Sequence, residues 1–131
     1  MTTNDWRDVR VLVTGARGFI GTRLCQKLVD GGAIVQGVSS RSDFTGLSPT
    51  VAWATVDLTD LNAVRRMIRS GAPDIVFHLA GHVTGSQALV EVEPTFELNL
   101  SSTVHLLTSA AEAGGCRVVQ AGSMQEPDRD D

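Results

Sequence analysis

The chain has 131 residues, 42% of them hydrophobic and 20% charged, with a formal net charge of −4. That length suits one domain with no separate substrate domain, and the ordinary composition suits a globular fold that buries about two thirds of its unfolded surface. The closing "EPDRDD" alone contributes −3 of the charge; the remainder is nearly balanced and holds no basic stripe, which excludes nucleic acid as an expected partner.

The opening "MTTNDWRDVR" lacks the apolar core of a signal peptide. No apolar run approaches the roughly 20 residues that cross a bilayer, so no membrane association is expected, and a soluble, cytoplasmic protein is. Cys25 and Cys116 belong to no CxxC or Cys/His cluster, which points to a reducing compartment without a disulfide or a metal site.

In chain order, Val9–Val13 reads as a first strand. Gly18 to Asp30 reads as a helix with Ile20, Leu24 and Leu28 on one face, ended by Gly31-Gly32. Ala33–Ser39 is a second strand, followed by a loop of turn formers, "RSDFTGLSPT". Val51–Val56 is a third strand; Leu61, Val64, Met67 and Ile68 then form a helical stripe that stops at Gly71 and Pro73. Asp74–His78 is a fourth strand, and residues 81–93 are irregular or at most a short helix. Pro94 suits the first turn of a helix running to Ala113, with Phe96, Leu100, Val104 and Leu107 facing inward. Gly114-Gly115 closes it, and Arg117–Ala121 is a fifth strand.

Alternating strands and helices predict an α/β fold, a Rossmann-like doubly wound parallel sheet. Right-handed crossovers with a reversal after the third strand give the order 3-2-1-4-5. Periodicity leaves other orders open; a phosphate-binding first turn selects this one.

That turn is "VLVTGARGFIG", with glycines at 15, 18 and 21 between the first strand and the first helix. A helix start offers unpaired N–H groups and the positive end of the dipole, so an anion docks there. Gly15 permits the tight turn, Gly18 lets the backbone approach phosphates, and Gly21 lets the helix pack closely on the sheet. With the intervening Arg17, Phe19 and Ile20, these residues are expected to surround a diphosphate. Glycines that serve only the turn are the alternative.

"TGARGFIG" resembles the TGxxGFIG motif of the extended short-chain dehydrogenase/reductase family, the NAD(P)-dependent nucleotide-sugar epimerases and dehydratases. Further likenesses follow in the family's order: "DLTD" at 57–60, "DIVFHLAG" at 74–81, "NLSSTVHLLTSAAEAG" at 99–114 with Ser102 where glycine is usual, and "VVQAGSMQEP" at 118–127. The resemblance implies that Asp57 contacts adenine with Leu58 packed on its ring, Asp57 as a helix cap being the alternative. It also implies that Leu79, Ala80 and Gly81 line the nicotinamide ribose, and that Asn99 organises the fourth strand. Ser123 stands where the family's catalytic serine or threonine hydrogen-bonds the reacting oxygen. His78 reads as a core histidine, His82 as a loop histidine near the substrate side, and His105 as a plain helix residue.

The cofactor's identity turns on the end of the second strand. About 18–20 residues past Gly21, where an acid would hold the ribose of NAD, stand Ser39, Ser40 and Arg41. Serines and a guanidinium suit a 2′-phosphate, so NADP is expected, with NAD the alternative should Asp43 fold back to the ribose. Arg41 also reads as a solvated loop charge.

The resemblance implies hydride transfer on a nucleotide sugar, with a Tyr-x-x-x-Lys pair about 20–35 residues beyond Ser123 moving the proton. Here eight residues follow Ser123, no tyrosine occurs, and the one lysine is Lys27. Residues 1–131 are therefore expected to form a dinucleotide-binding domain shortened at its C-terminal side, without the later strands and substrate lobe. Either it is the cofactor-binding portion of such an enzyme, or it is a non-catalytic NADP(H)-binding regulatory or structural module. Val118 and Val119 on the fifth strand would form an exposed edge that a second copy or another chain covers.

Overall fold

The structure is a computed structural model that describes residues 5–123; the charged ending at 126–131 lies outside the described residues. Five strands form one parallel sheet in the order β3-β2-β1-β4-β5. They are β1 (Arg10–Thr14), β2 (Ile34–Ser39), β3 (Ala52–Thr55), β4 (Ile75–His78) and β5 (Arg117–Gln120). The central β1 is flanked by β2 and β4, so the chain reverses direction across the sheet beside the glycine turn. That reversal point is where doubly wound sheets open a crevice at the strands' carboxyl ends.

Helices cover both faces. Helix α1 (Phe19–Asp30) packs Cys25 and Leu28 against Val11, Val13 and Val35. On the other face α2 (Leu61–Gly71) and α4 (Ser102–Glu112) pack Val64, Met67, Ile68 and Leu106 against Leu12, Val38 and Val76. Strands buried on both faces explain the near-continuous apolar runs that mark β1 and β4 in the sequence. Asp60 starts α2 by accepting from the N–H groups of Asn62 and Ala63 at 2.9 and 3.1 Å. That leaves Asp57 off the helix end. Arg65 and Glu112 form a bidentate pair at 2.8 and 2.7 Å that ties α2 to α4.

Two sequence expectations are corrected. Ile20 does not join the inward face of α1; it is exposed, and Gly21, Cys25 and Leu28 are the buried residues. The stripe expected to face inward from the long helix lies outside: Phe96, Leu100, Val104 and Leu107 are 57%, 51%, 50% and 48% exposed. Ser102, Leu106, Ser109 and Ala110 are buried instead. Small residues let the helix approach the sheet, and the Ser102 hydroxyl donates to the Leu98 carbonyl at 2.7 Å, so that hydroxyl is buried with its bond made, whereas Ser109 Oγ is buried without a partner among the described residues.

The helical stretch is also not uniform. A short turn at Leu89–Glu91 leads into α3 (Val92–Thr95), then a π-helical segment at Phe96–Ser101, then α4. Asn99 sits inside the π segment, a backbone form that gathers at functional sites. Among the described residues no helix is long and apolar enough to cross a membrane.

Candidate functional site

Gly15 leaves β1 with φ +64°, a conformation L side chains rarely adopt, and a Cβ there would stand 2.8 Å from the Leu79–Ala80 peptide. The turn is tied to β2 by Ala16 N–H donating to the Val38 carbonyl at 3.2 Å, and closed by Gly18 N–H donating to the Gly15 carbonyl at 3.0 Å. A Cβ on Gly21 would overlap the Gly15 carbonyl oxygen and the Ala16 backbone, so the third glycine lets α1 pack on its own turn rather than on the sheet at large. A Cβ on Gly18 would meet just the Gly15 oxygen, at 3.2 Å. Gly18 is also the N-cap of α1, with no side-chain cap and no acidic residue in the first turn. The N–H groups of that first turn have no intrahelical acceptors, and nothing on the helix competes with an anion for them. The cradle fits a diphosphate.

Beyond β2, Ser39 Oγ accepts the Arg41 N–H at 3.0 Å and keeps its own proton to donate. Asp43 lies 4.0 Å from the Arg17 guanidinium, so the loop after β2 does fold back towards the glycine turn. The Asp43 carboxyl is held below the usual carboxylate range, chiefly by the Thr45 N–H that it accepts and less by Arg17. Phe44, the one aromatic in a stretch that reads as turn formers, stacks on Trp53 of β3 with centroids 5.5 Å apart and anchors the loop. After β3, Asp57 is exposed and accepts from the Thr59 hydroxyl and N–H at 2.7 and 2.9 Å, which lower its pKa. Leu58 turns into the core, 8% exposed, leaving Asp57 as the outward member of the pair.

The other half of the crevice lies past β4 and β5. A cavity of about 570 Å³ is lined by His78, Gly81, His82, Asn99, Gln120 and Ser123. The Asn99 amide clamps the chain after β4, accepting the His82 N–H at 2.6 Å and donating to its carbonyl at 2.9 Å. A Cβ on Gly81 would stand 2.9 Å from Asn99 Oδ1, which keeps that position small. Leu79 and Ala80 bridge the halves: both N–H groups donate to Thr14, one to its carbonyl and one to its hydroxyl. The carboxyl ends of the strands thus gather Gly15 to Gly21, Ser39 to Arg41, Asp57, Leu79 to Gly81, Asn99 and Ser123 along one edge.

The histidines have partners that the sequence does not show. His82, in the loop after β4, has its Nε2 2.7 Å from Glu91 Oε2, bracing the cavity rim against the start of α3. His105 Nδ1 lies 3.0 Å from the Leu58 carbonyl. Thr14 and Thr103 flank the buried His78 ring at 2.7 and 3.2 Å. The one sequence signal was a hydroxyl at the end of an otherwise apolar strand, in "VLVT".

Burial pushes the His78 imidazole below its ordinary value of 6.5. Its depressed folded pKa means that the unfolded chain takes up the proton first as pH falls. This contribution to stability is whole above pH 6.5 and is lost as pH drops through that value towards the folded pKa. Unfolding free energies from urea titrations between pH 7.5 and 5 should decline with a slope of at most about 1.4 kcal/mol per pH unit from this one proton. His78→Gln should flatten that part of the decline; an equal slope in the variant would exclude His78 as its source.

The sequence model of the NAD dependent epimerase/dehydratase family matches residues 11–130. Among curated relatives, a CDP-glucose 4,6-dehydratase of Salmonella typhimurium is 32% identical, over 88% of this chain and 34% of its own length. A UDP-glucose 4-epimerase of Mycolicibacterium smegmatis is 28% identical, over 88% of this chain and 39% of its own length. The chain therefore spans between a third and two fifths of these relatives. Among solved structures, the UDP-glucose 4-epimerase of Thermus thermophilus in complex with NAD superposes with a TM-score of 0.77 at 28% identity, covering 84% of this chain and 36% of that one. An epimerase from Methanothermobacter thermautotrophicus superposes with a TM-score of 0.81 at 25% identity, over 93% of this chain and 37% of that one. A family match over nearly the whole chain, on a sheet whose glycine turn stands at the reversal point, means that this chain belongs to the NAD-dependent epimerase/dehydratase family.

Proposed function

We infer that this chain holds the dinucleotide of an epimerase, dehydratase or reductase acting on a nucleotide sugar. The observation that carries this reading is the bare start of α1 at Gly18, pointed at the edge where the other candidate residues gather. Gly15, Arg17, Gly18, Phe19, Ile20 and Gly21 would surround the diphosphate, with Asp57 at the adenine and Leu79, Ala80 and Gly81 beside the nicotinamide ribose. When bound, the cofactor supplies a hydride acceptor and donor. Asn99 fixes the chain at His82, and the Ser123 hydroxyl would hydrogen-bond the reacting oxygen of the substrate. Residues 1–131 contain no tyrosine. Dinucleotide binding tests the reading directly.

Between the two cofactors, Ser39, Ser40 and Arg41 favour NADP, because Ser39 keeps a proton to donate and Arg41 is exposed at the strand's end. Asp43 beside Arg17 favours NAD as the second reading, since its carboxylate would accept from a free ribose hydroxyl. Fluorescence titration with NADPH and NADH separates them. NADPH should bind more tightly, and Arg41→Ala should weaken NADPH roughly tenfold while barely changing NADH. Equal losses would remove the case for the phosphorylated cofactor. Failure to bind either would sink the whole reading.

A further inference from the structure

A single file of hydrogen bonds runs beneath the crevice from the glycine turn to the Asn99 clamp. The Ala80 N–H donates to Thr14 Oγ1 at 3.2 Å, and that oxygen lies 2.7 Å from His78 Nδ1. Across the ring, Nε2 lies 3.2 Å from Thr103 Oγ1, which donates to the Asn99 carbonyl at 2.8 Å. The direction of each proton follows from what each group can do. A carbonyl accepts and never donates, so the Thr103 proton is committed to Asn99. Thr103 can then meet the imidazole solely as acceptor, which makes Nε2 the donor. A neutral ring with its proton on Nε2 has an acceptor at Nδ1, and Thr14 supplies the proton to it. The Gln120 amide donates to Thr103 Oγ1 at 3.4 Å, on the same accepting side.

Both ends of this file are functional candidates. Thr14 immediately precedes Gly15, while Asn99 carries the amide that grips His82. Thr14 and His78 are at most 1% exposed, so water does not compete for the bond between them, while the Thr103 end of the file reaches towards the surface. A polar chain with a buried centre, in which every proton has one place to go, specifies a single arrangement of the groups that it joins, where an apolar core would tolerate several.

We propose that His78 is a positioning residue that, through Thr14 and Thr103, sets the glycine turn and the Asn99 clamp in fixed relation to each other. Occupation of the turn is then felt at Asn99 without a ligand atom reaching it. This rests on the dinucleotide reading above. An isotope-labelled full chain tests it, with ADP as the probe, because ADP carries adenosine and a diphosphate but no nicotinamide. Before ligand is added, the nitrogen spectrum of His78 should show the Nε2–H tautomer. On titration with ADP the Asn99 side-chain amide signal should move in the wild type and in Thr103→Ser, which keeps the hydroxyl, and should stay still in Thr103→Val, which removes it at nearly constant shape. NADPH affinity should fall about fivefold in Thr103→Val while ADP affinity holds.

An Nδ1–H tautomer overturns the proposal, and so does an Asn99 response that is equal in Thr103→Val. Should Thr103→Val fail to fold, the wild type still decides, since a silent Asn99 amide on ADP binding overturns it alone. No ADP binding by the wild type, with the Nε2–H tautomer present, would be the separate failure of the dinucleotide reading and would take this proposal with it.

Discussion

Gly18→Val is expected to abolish dinucleotide binding in a chain that still folds, whereas Gly21→Val is expected to cost the fold itself. The two glycines lie three residues apart in one turn, so the contrast tests what each is for. Gly18 has φ −70° and ψ 173°, ordinary extended backbone that valine adopts readily. Its Cβ would meet one atom, the Gly15 oxygen at 3.2 Å, which a shift of a few tenths of an ångström relieves. The remaining bulk projects in front of the first-turn N–H groups, where a diphosphate would approach. Gly21 has no such freedom. Its Cβ would fall on the Gly15 carbonyl and stand 2.7 Å from the Ala16 Cα, and the same turn is held from its other side by Ala80. Backbone cannot yield as a side chain can, so α1 would have to lift off the turn. Overpacking typically costs about 1–3 kcal/mol, and a clash with backbone on two sides belongs at or above the top of that range, a large share of a small domain's stability. Urea unfolding gives the stability of each variant, and NADPH fluorescence gives its binding. Unchanged affinity in Gly18→Val would mean that the second glycine serves the turn rather than a phosphate.

The layout of this molecule is unusually legible in its sequence, and the reasons are local. Short β-branched runs punctuated by Gly31-Gly32, Gly71 with Pro73, and Gly114-Gly115 mark where each element stops, and the strands fall within one residue or so of the expected bounds. The order 3-2-1-4-5 follows once the first turn is given a phosphate to hold, because that role places β1 beside both β2 and β4. What stayed hidden depends on partners far apart in the chain. His82 pairs with a carboxylate nine residues on, across an irregular stretch with no periodicity to read. Thr14, His78 and Thr103 come from β1, β4 and α4 and meet just when the sheet and helix are assembled. Leu58 reads as an adenine contact by its place in a motif, yet its side chain belongs to the core. The face of α4 escapes the sequence for a different reason: apolar size and spacing pick out Phe96, Leu100, Val104 and Leu107 as the inward stripe. The buried stripe instead sets three small residues, Ser102, Ser109 and Ala110, around Leu106. Ser102 satisfies its hydroxyl within the helix, and Ala110 takes little room, so the helix axis comes close to the sheet.

That corrected face yields the second large effect. Leu106→Ala should lower stability by about 2–5 kcal/mol, and Leu107→Ala by less than about 0.5 kcal/mol. The residues are neighbours in sequence and identical in chemistry, so helix propensity and composition cancel between the two variants. What differs is surroundings. Leu106 is fully buried among Leu12, Val38, Val64, Met67, Ile68 and Val76, and truncation would leave a cavity between α4 and the sheet. Leu107 is 48% exposed and leaves no void when shortened. Had the larger apolar stripe been the buried one, the costs would exchange places, and urea midpoints at constant slope read the difference directly. Leu106→Ala carries a further consequence, because α4 also bears Thr103 and continues from the segment that holds Asn99. A helix that settles into the cavity shifts both relative to β4, so NADPH affinity should decline in the fraction that stays folded, while Leu107→Ala binds as the wild type does.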